Sequence, residues 1–136
     1  MTNPRDVITR ALVLDGIYGA GEDPSSEDMS LGLDTLQQML DSWGNTSLGM
    51  NQGTLALDTA LTVPDSYIKC ITYSLASELL IPFNVSPATF PGAATIIQIA
   101  DEEKQAIRAV QRKKRTVTTD LSPCHMSVQS YAWHRR

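Results

Sequence analysis

Met29, Leu33, Leu36, Leu40 and Trp43 set large apolar side chains at steps of four, three, four and three residues. An α-helix brings such a series onto one face, because about 3.6 residues make one turn. The resulting core stripe needs apolar surface to lie against, so the rest of the chain must supply helices or strands that cover it. Ser25 stands before the stripe as an N-cap, with Asp28 three residues on in the manner of a capping box. Aspartate reaches less far than the usual glutamate at that position. Gly44 ends the helix. Gly32 lies inside it at a cost of roughly 1 kcal/mol relative to alanine, and so marks a close crossing with a second helix.

Three more helices follow from the same kind of pattern. Asn3 as N-cap and Pro4 at the first helical position start one that runs to about Asp15, with Ile8, Ala11 and Leu12 on one face, Val7 and Leu14 beside it, and Gly16 as its stop. Pro64-Asp65 opens a third, to about Ile81, which buries Ile68, Ile71, Leu75 and Leu79 and stops at Pro82. A fourth begins between Ala88 and Gly92 and ends at Arg115, with Ile96, Ile97, Ala100, Ile107 and Val110 as its apolar face. Residues 45–63 carry two glycines and short apolar runs, which predicts a long loop with a small hairpin near Leu48–Leu57. Loops of that length are often functional, and this one leaves an end of the bundle open to neighbours. Residues 82–91 contain three prolines and read as a linker. The expected fold class is therefore all-α: a four-helix bundle over residues 1–115, with a long loop after the second helix, and an extended C-terminal arm over 116–136 that orders on a partner.

The chain has 136 residues, enough for one domain with a modest core. Hydrophobic residues make up 42% and charged ones 19%, which favours a globular body over a disordered one. No apolar run approaches the roughly 20 residues needed to cross a bilayer, and the N-terminus lacks a signal-peptide pattern, so synthesis and folding in a cytoplasm are expected. Cys70 falls in an apolar helical pattern and reads as a small core residue, while Cys124 lies in the arm; in a reducing compartment a bond between them is not expected. The net charge of −4 conceals a split. Residues 1–103 hold three basic residues against fourteen acidic ones, a net of −11, whereas 104–136 hold eight basic residues against Asp120 alone, a net of +7.

No catalytic constellation stands out, and no cofactor is expected. His125 and His134 both belong to the arm, and the glycine and histidine motifs of hydrolases, zinc enzymes and phosphate-binding loops are missing. Asp101-Glu102-Glu103 point in different directions on a helix and read as a solvated face. Cys124, His125 and His134 are too scattered for a good metal site. Arg108, Arg112 and Arg115 share one helical face, with Lys104 a turn earlier. Two readings of that stripe stand side by side. One is a solvated helix end stabilised by the helix dipole; the other is a surface that docks an anion or a partner. Tyr131 and Trp133 are of the type that anchors a peptide in a groove.

The stretch DVITRALVLDGIYGAGEDPSSEDMSLGLDTLQQMLDSWGNTSLGM (residues 6–50) resembles the N-terminal half of the head-completion proteins of tailed phages, most of all the tail accessory factors, or packaged-DNA stabilisation proteins, of short-tailed phages. The likeness rests on a D-x-[IV]-x-x-A-L helix ending at glycine, a Gly/Pro loop, and an L-x-x-L-x-x-M-L-x-x-W helix. SLASELLIPF (residues 74–83) is similar to the family's third helix and its proline stop. The resemblance implies a structural virion protein at the head–tail junction: a head-to-tail connector that rings the exit beneath the portal, typically in twelve copies, closes it after packaging, and offers a platform to tail or nozzle proteins. Packaged DNA would pass through without sequence-specific binding, and an acidic lumen wall would repel its phosphates. The family's C-terminal segment binds the portal. By position and character that role falls here on Arg112, Lys113, Lys114, Arg115, Tyr131, Trp133, Arg135 and Arg136. The alternative is a small helical nucleic-acid-binding regulator that uses the basic stripe 104–115, with binding that weakens steeply as salt rises.

Overall fold

A computed structural model describes residues 2–44 and 53–119, the side chains of 114–119 excepted. The described residues form four α-helices and no strand: α1 Pro4–Leu14, α2 Ser26–Gly44, α3 Asp65–Leu79 and α4 Gly92–Thr119. The hairpin expected near Leu48–Leu57 falls partly on residues outside that description, and 53–57 contain no strand.

α3 is the central helix. Cys70, Ile71, Thr72, Ser74, Leu75, Ala76 and Leu79 are all buried, so side chains on most of its circumference are covered, and α1, α2 and α4 each pack on it. Small and hydroxyl-bearing residues make that possible. Thr72 donates its hydroxyl to the carbonyl of Ile68 at 2.8 Å and Ser77 to that of Ser74 at 2.7 Å, which satisfies them within the helix. α1 contributes Val7, Ile8, Ala11 and Leu12, each at most 1% exposed, and α2 contributes Met29, Leu36, Met39, Leu40 and Trp43, with Leu33 partly buried at the edge.

Local chemistry sets the helix ends. Asn3 does not cap α1 with its side chain; it is extended, and its carbonyl accepts the amides of Asp6 and Val7 instead. α1 closes in a Schellman motif. Gly16 takes φ +71°, its N–H donates to Val13, and the Ile17 N–H donates to Leu12. The helical sense at the end of α3 runs past Pro82 and closes at Asn84, whose φ of +58° lets the Asn84 and Val85 amides reach the carbonyls of Ile81 and Leu80. Proline lacks an N–H but keeps a helical φ, so it permits this extra turn. The ring of Phe90 then lies against Gly16 and Gly92, fixing where α4 begins.

The N-terminus of α2 completes its capping box through a third residue. The Ser25 hydroxyl accepts the Asp28 amide at 3.2 Å and donates to the Asp28 carboxylate at 2.8 Å. The carboxylate does not reach back to the Ser25 amide. That amide donates to the Tyr18 hydroxyl at 3.2 Å, and Tyr18 in turn donates to Asp28. Tyrosine supplies the length that aspartate lacks. Tyr18→Phe should therefore cost about 1 kcal/mol, in the range of a lost helix cap, read as a shift in the urea midpoint at unchanged slope; a neutral outcome would show that water replaces the hydroxyl.

Residues 53–63, the described part of the long loop, pack on the helices. Leu61 is buried at 7% exposure, and Leu55, Leu57 and Val63 pack on the core. The Leu61 amide donates to the Thr2 carbonyl and the Arg5 amide to the Leu57 carbonyl, while the Leu55 amide donates to Gln37 Oε1 at 2.7 Å. The segment is a strap across the start of α1 and the middle of α2. Apolar residues without a period, filling space that three helices leave, produce this outcome.

Candidate functional site

α4 lies antiparallel to α3: Lys69 pairs with Glu103, and Gln111 donates to the Tyr67 hydroxyl at 3.4 Å. Ala93, Ile96, Ala100 and Ile107 form its buried edge. Ile97 and Val110, expected on the same face, are 41% and 50% exposed. Ile97 sits about 100° around the helix from Ile96, and only one narrow side of α4 meets α3. Gln111 is tied to α3 through Tyr67, and the helix runs on to Thr119. The eight residues that follow Gln111 add about 12 Å of helix. The helix also outruns its expected end at Arg115 by four residues, so the boundary drawn at 116 falls inside it.

The C-terminal part of α4 carries the basic cluster. Arg108, Arg112 and Lys113 are exposed. Lys114 and Arg115 are on the same helix, their side chains outside the description, and Tyr131, Trp133, Arg135 and Arg136 lie outside the described residues altogether. Lys104, read as the first member of the stripe, is turned toward α2: its ammonium lies 5.9 Å from the centre of the Trp43 ring. A cation over an indole face is an attractive contact, and the buried Trp43 thus captures the first lysine of the series.

The opposite charge is concentrated on α2, which has four carboxylates and no basic residue. Glu27, Asp34 and Asp41 are exposed at intervals of seven residues, with Leu31 exposed between the first two. Among the described residues, neither Glu27 nor Asp34 enters an ion pair; cross-element pairs include Arg5 with Asp58 and Lys69 with Glu103.

Two other groups bear on chemistry. Cys70 is a free, buried thiol whose pKa is raised by burial, so little reactive thiolate forms at neutral pH. Asp15, at the C-terminus of α1, is 2% exposed, and neither carboxylate oxygen has a hydrogen-bond partner among the described residues. Desolvation pushes its pKa up to about 7. Sequence reasoning gave Asp15 no role, since an acid at a helix end looks the same in sequence whether covered or not. Among the described residues no group of three His, Cys, Asp or Glu converges as a metal site, and no helix is long and apolar enough to cross a membrane.

The features together define a class: among the described residues, an all-α domain whose acidic body ends in a helix with a basic C-terminal part. Compared with protein-family models, with curated proteins and with solved structures, the chain matches none.

Proposed function

We propose that this chain is a structural adaptor of the head–tail junction of a tailed phage, a connector that joins a portal ring to tail components and closes the DNA exit. The observation that carries the reading is the charge-separated shape. A helix bearing Arg108, Arg112 and Lys113 runs to Thr119 in a chain whose α2 carries four carboxylates and no basic residue. That suits a protein whose C-terminal segment docks on one partner while its body meets others. The order of motifs in residues 6–50 and 74–83 supports the same reading.

The test is co-sedimentation with portal rings from the same source, comparing the full chain with a version ending at Thr119, which keeps α4 whole. The full chain should saturate the rings at a fixed stoichiometry and the shortened chain should bind at least tenfold more weakly. Equal binding would remove the docking role from residues 120–136; no binding by either would end the adaptor reading. The exposed Arg108, Arg112 and Lys113 favour one competitor, duplex binding by α4. That competitor gains ground only if both chains hold duplex DNA at low salt and release it as salt rises.

A further inference from the structure

We infer that the outer face of α2 is the docking surface for the basic part of α4 from a second copy of the same chain. The two faces are complementary in sign and in pitch. On α2, Glu27, Asp34 and Asp41 recur every seven residues, about 10.5 Å along the axis. On α4, Arg108 and Arg115 are seven residues apart, with Arg112 between them. α2 has no basic residue of its own to neutralise its acids, and Glu27, Asp34 and Arg108 form no ion pair among the described residues. Leu31, 39% exposed between Glu27 and Asp34, gives the alkyl stems of arginine an apolar surface to lie on.

A second copy is the occupant that accounts for both faces together. Duplex DNA would satisfy α4 but would be repelled by α2, whereas one chain offering both an acidic and a basic helix can meet its neighbour head to tail. Such a contact leaves the same pair of faces free at either end, so it repeats, closing a ring when the rotation between copies allows. The inference deepens the adaptor reading by naming the contact between ring neighbours, and rests on that reading only for the ring. The contact itself needs no portal, so its failure and the failure of portal docking are separate results.

The experiment uses full chains without portal. One variant carries Glu27→Lys and Asp34→Lys, a second carries Arg108→Glu and Arg112→Glu, and circular dichroism checks that both are folded. Sedimentation equilibrium is run at low and at high salt. Wild type should self-associate at low salt and dissociate at high salt. Each variant alone should associate at least tenfold more weakly, because its two faces now bear like charge. An equimolar mixture of the two should recover association, since reversed α4 faces reversed α2 at alternate contacts. A wild type that stays monomeric at low salt, or association indifferent to either reversal, would overturn the inference. So would variants that both lose association and fail to recover it when mixed, or loss of duplex binding by the α4 variant with self-association intact.

Discussion

Gly32→Ala will destabilise the domain, although alanine is the better helix former by roughly 1 kcal/mol. A Cβ at Gly32 would stand 2.5 Å from Cγ2 of Ile8 and 3.4 Å from its Cγ1. Ile8 is fully buried in α1 and its β-branched side chain has no open space to rotate into. The helices must separate or Ile8 must leave its rotamer, and overpacking of that kind costs about 1–3 kcal/mol. The penalty therefore exceeds or cancels the gain in propensity. Ile8→Leu removes the offending methyl at nearly constant volume. In that background Gly32→Ala should become neutral or stabilising, with a coupling energy of at least about 1 kcal/mol in the double-mutant cycle. Additive effects in urea unfolding would show that α1 and α2 are not in contact at this point.

The second large effect is one of pH. Asp15 has a folded pKa of about 7 against 3.8 for the free side chain, so the native state holds its proton more tightly than the unfolded chain does. With the folded value raised, the stabilisation is whole below about pH 4, declines as pH rises, and is gone above about pH 7. Three units of difference correspond to a loss on the order of 4 kcal/mol. The carboxylate also sits at the negative pole of α1, which adds to the cost of its charge. Asp15→Asn keeps the shape and removes the titration. Its melting temperature should exceed that of wild type at about pH 8, and the advantage should vanish at about pH 4. Parallel curves for the two proteins across that range would mean that water or a neighbour compensates the buried charge.

Much of this fold leaves a trace in the sequence, for reasons that differ by element. The α2 stripe is legible because burial on one side of a helix forces its period on the residues. Gly16 is legible because a left-handed closing residue favours glycine, and Gly32 because a glycine inside an otherwise good helix calls for a reason. The strap over 53–63 is not legible: Leu55, Leu57 and Leu61 fill gaps between helices, and gaps have no period. Arg5 and Asp58, paired at 3.0 Å, are 53 residues apart in the chain, and nothing local links them. Tyr18 as the bridge in the α2 cap belongs to the same kind, a residue from a Gly/Pro loop supplying length to a partner it meets only after folding. At the candidate site the basic cluster is plain in the sequence. That Lys104 leaves it for Trp43 depends on space that propensity does not encode, and the threonines through which α4 continues to Thr119 are weak helix formers that gave no sign of it.

The seating of α4 has a mechanical consequence. Its direction is set by the buried Ala93, Ile96, Ala100 and Ile107 and by the Gln111–Tyr67 bond, and from Gln111 the helix continues for eight residues, about 12 Å. It is a lever with its fulcrum at one end. A tilt of about 10° on that seat, small enough for side chains to follow, would move Thr119 by about 2 Å over that rise. Whatever holds the tip thereby gains leverage on the packing of the central helix, and a slight repacking beneath Ile107 would re-aim the end of α4.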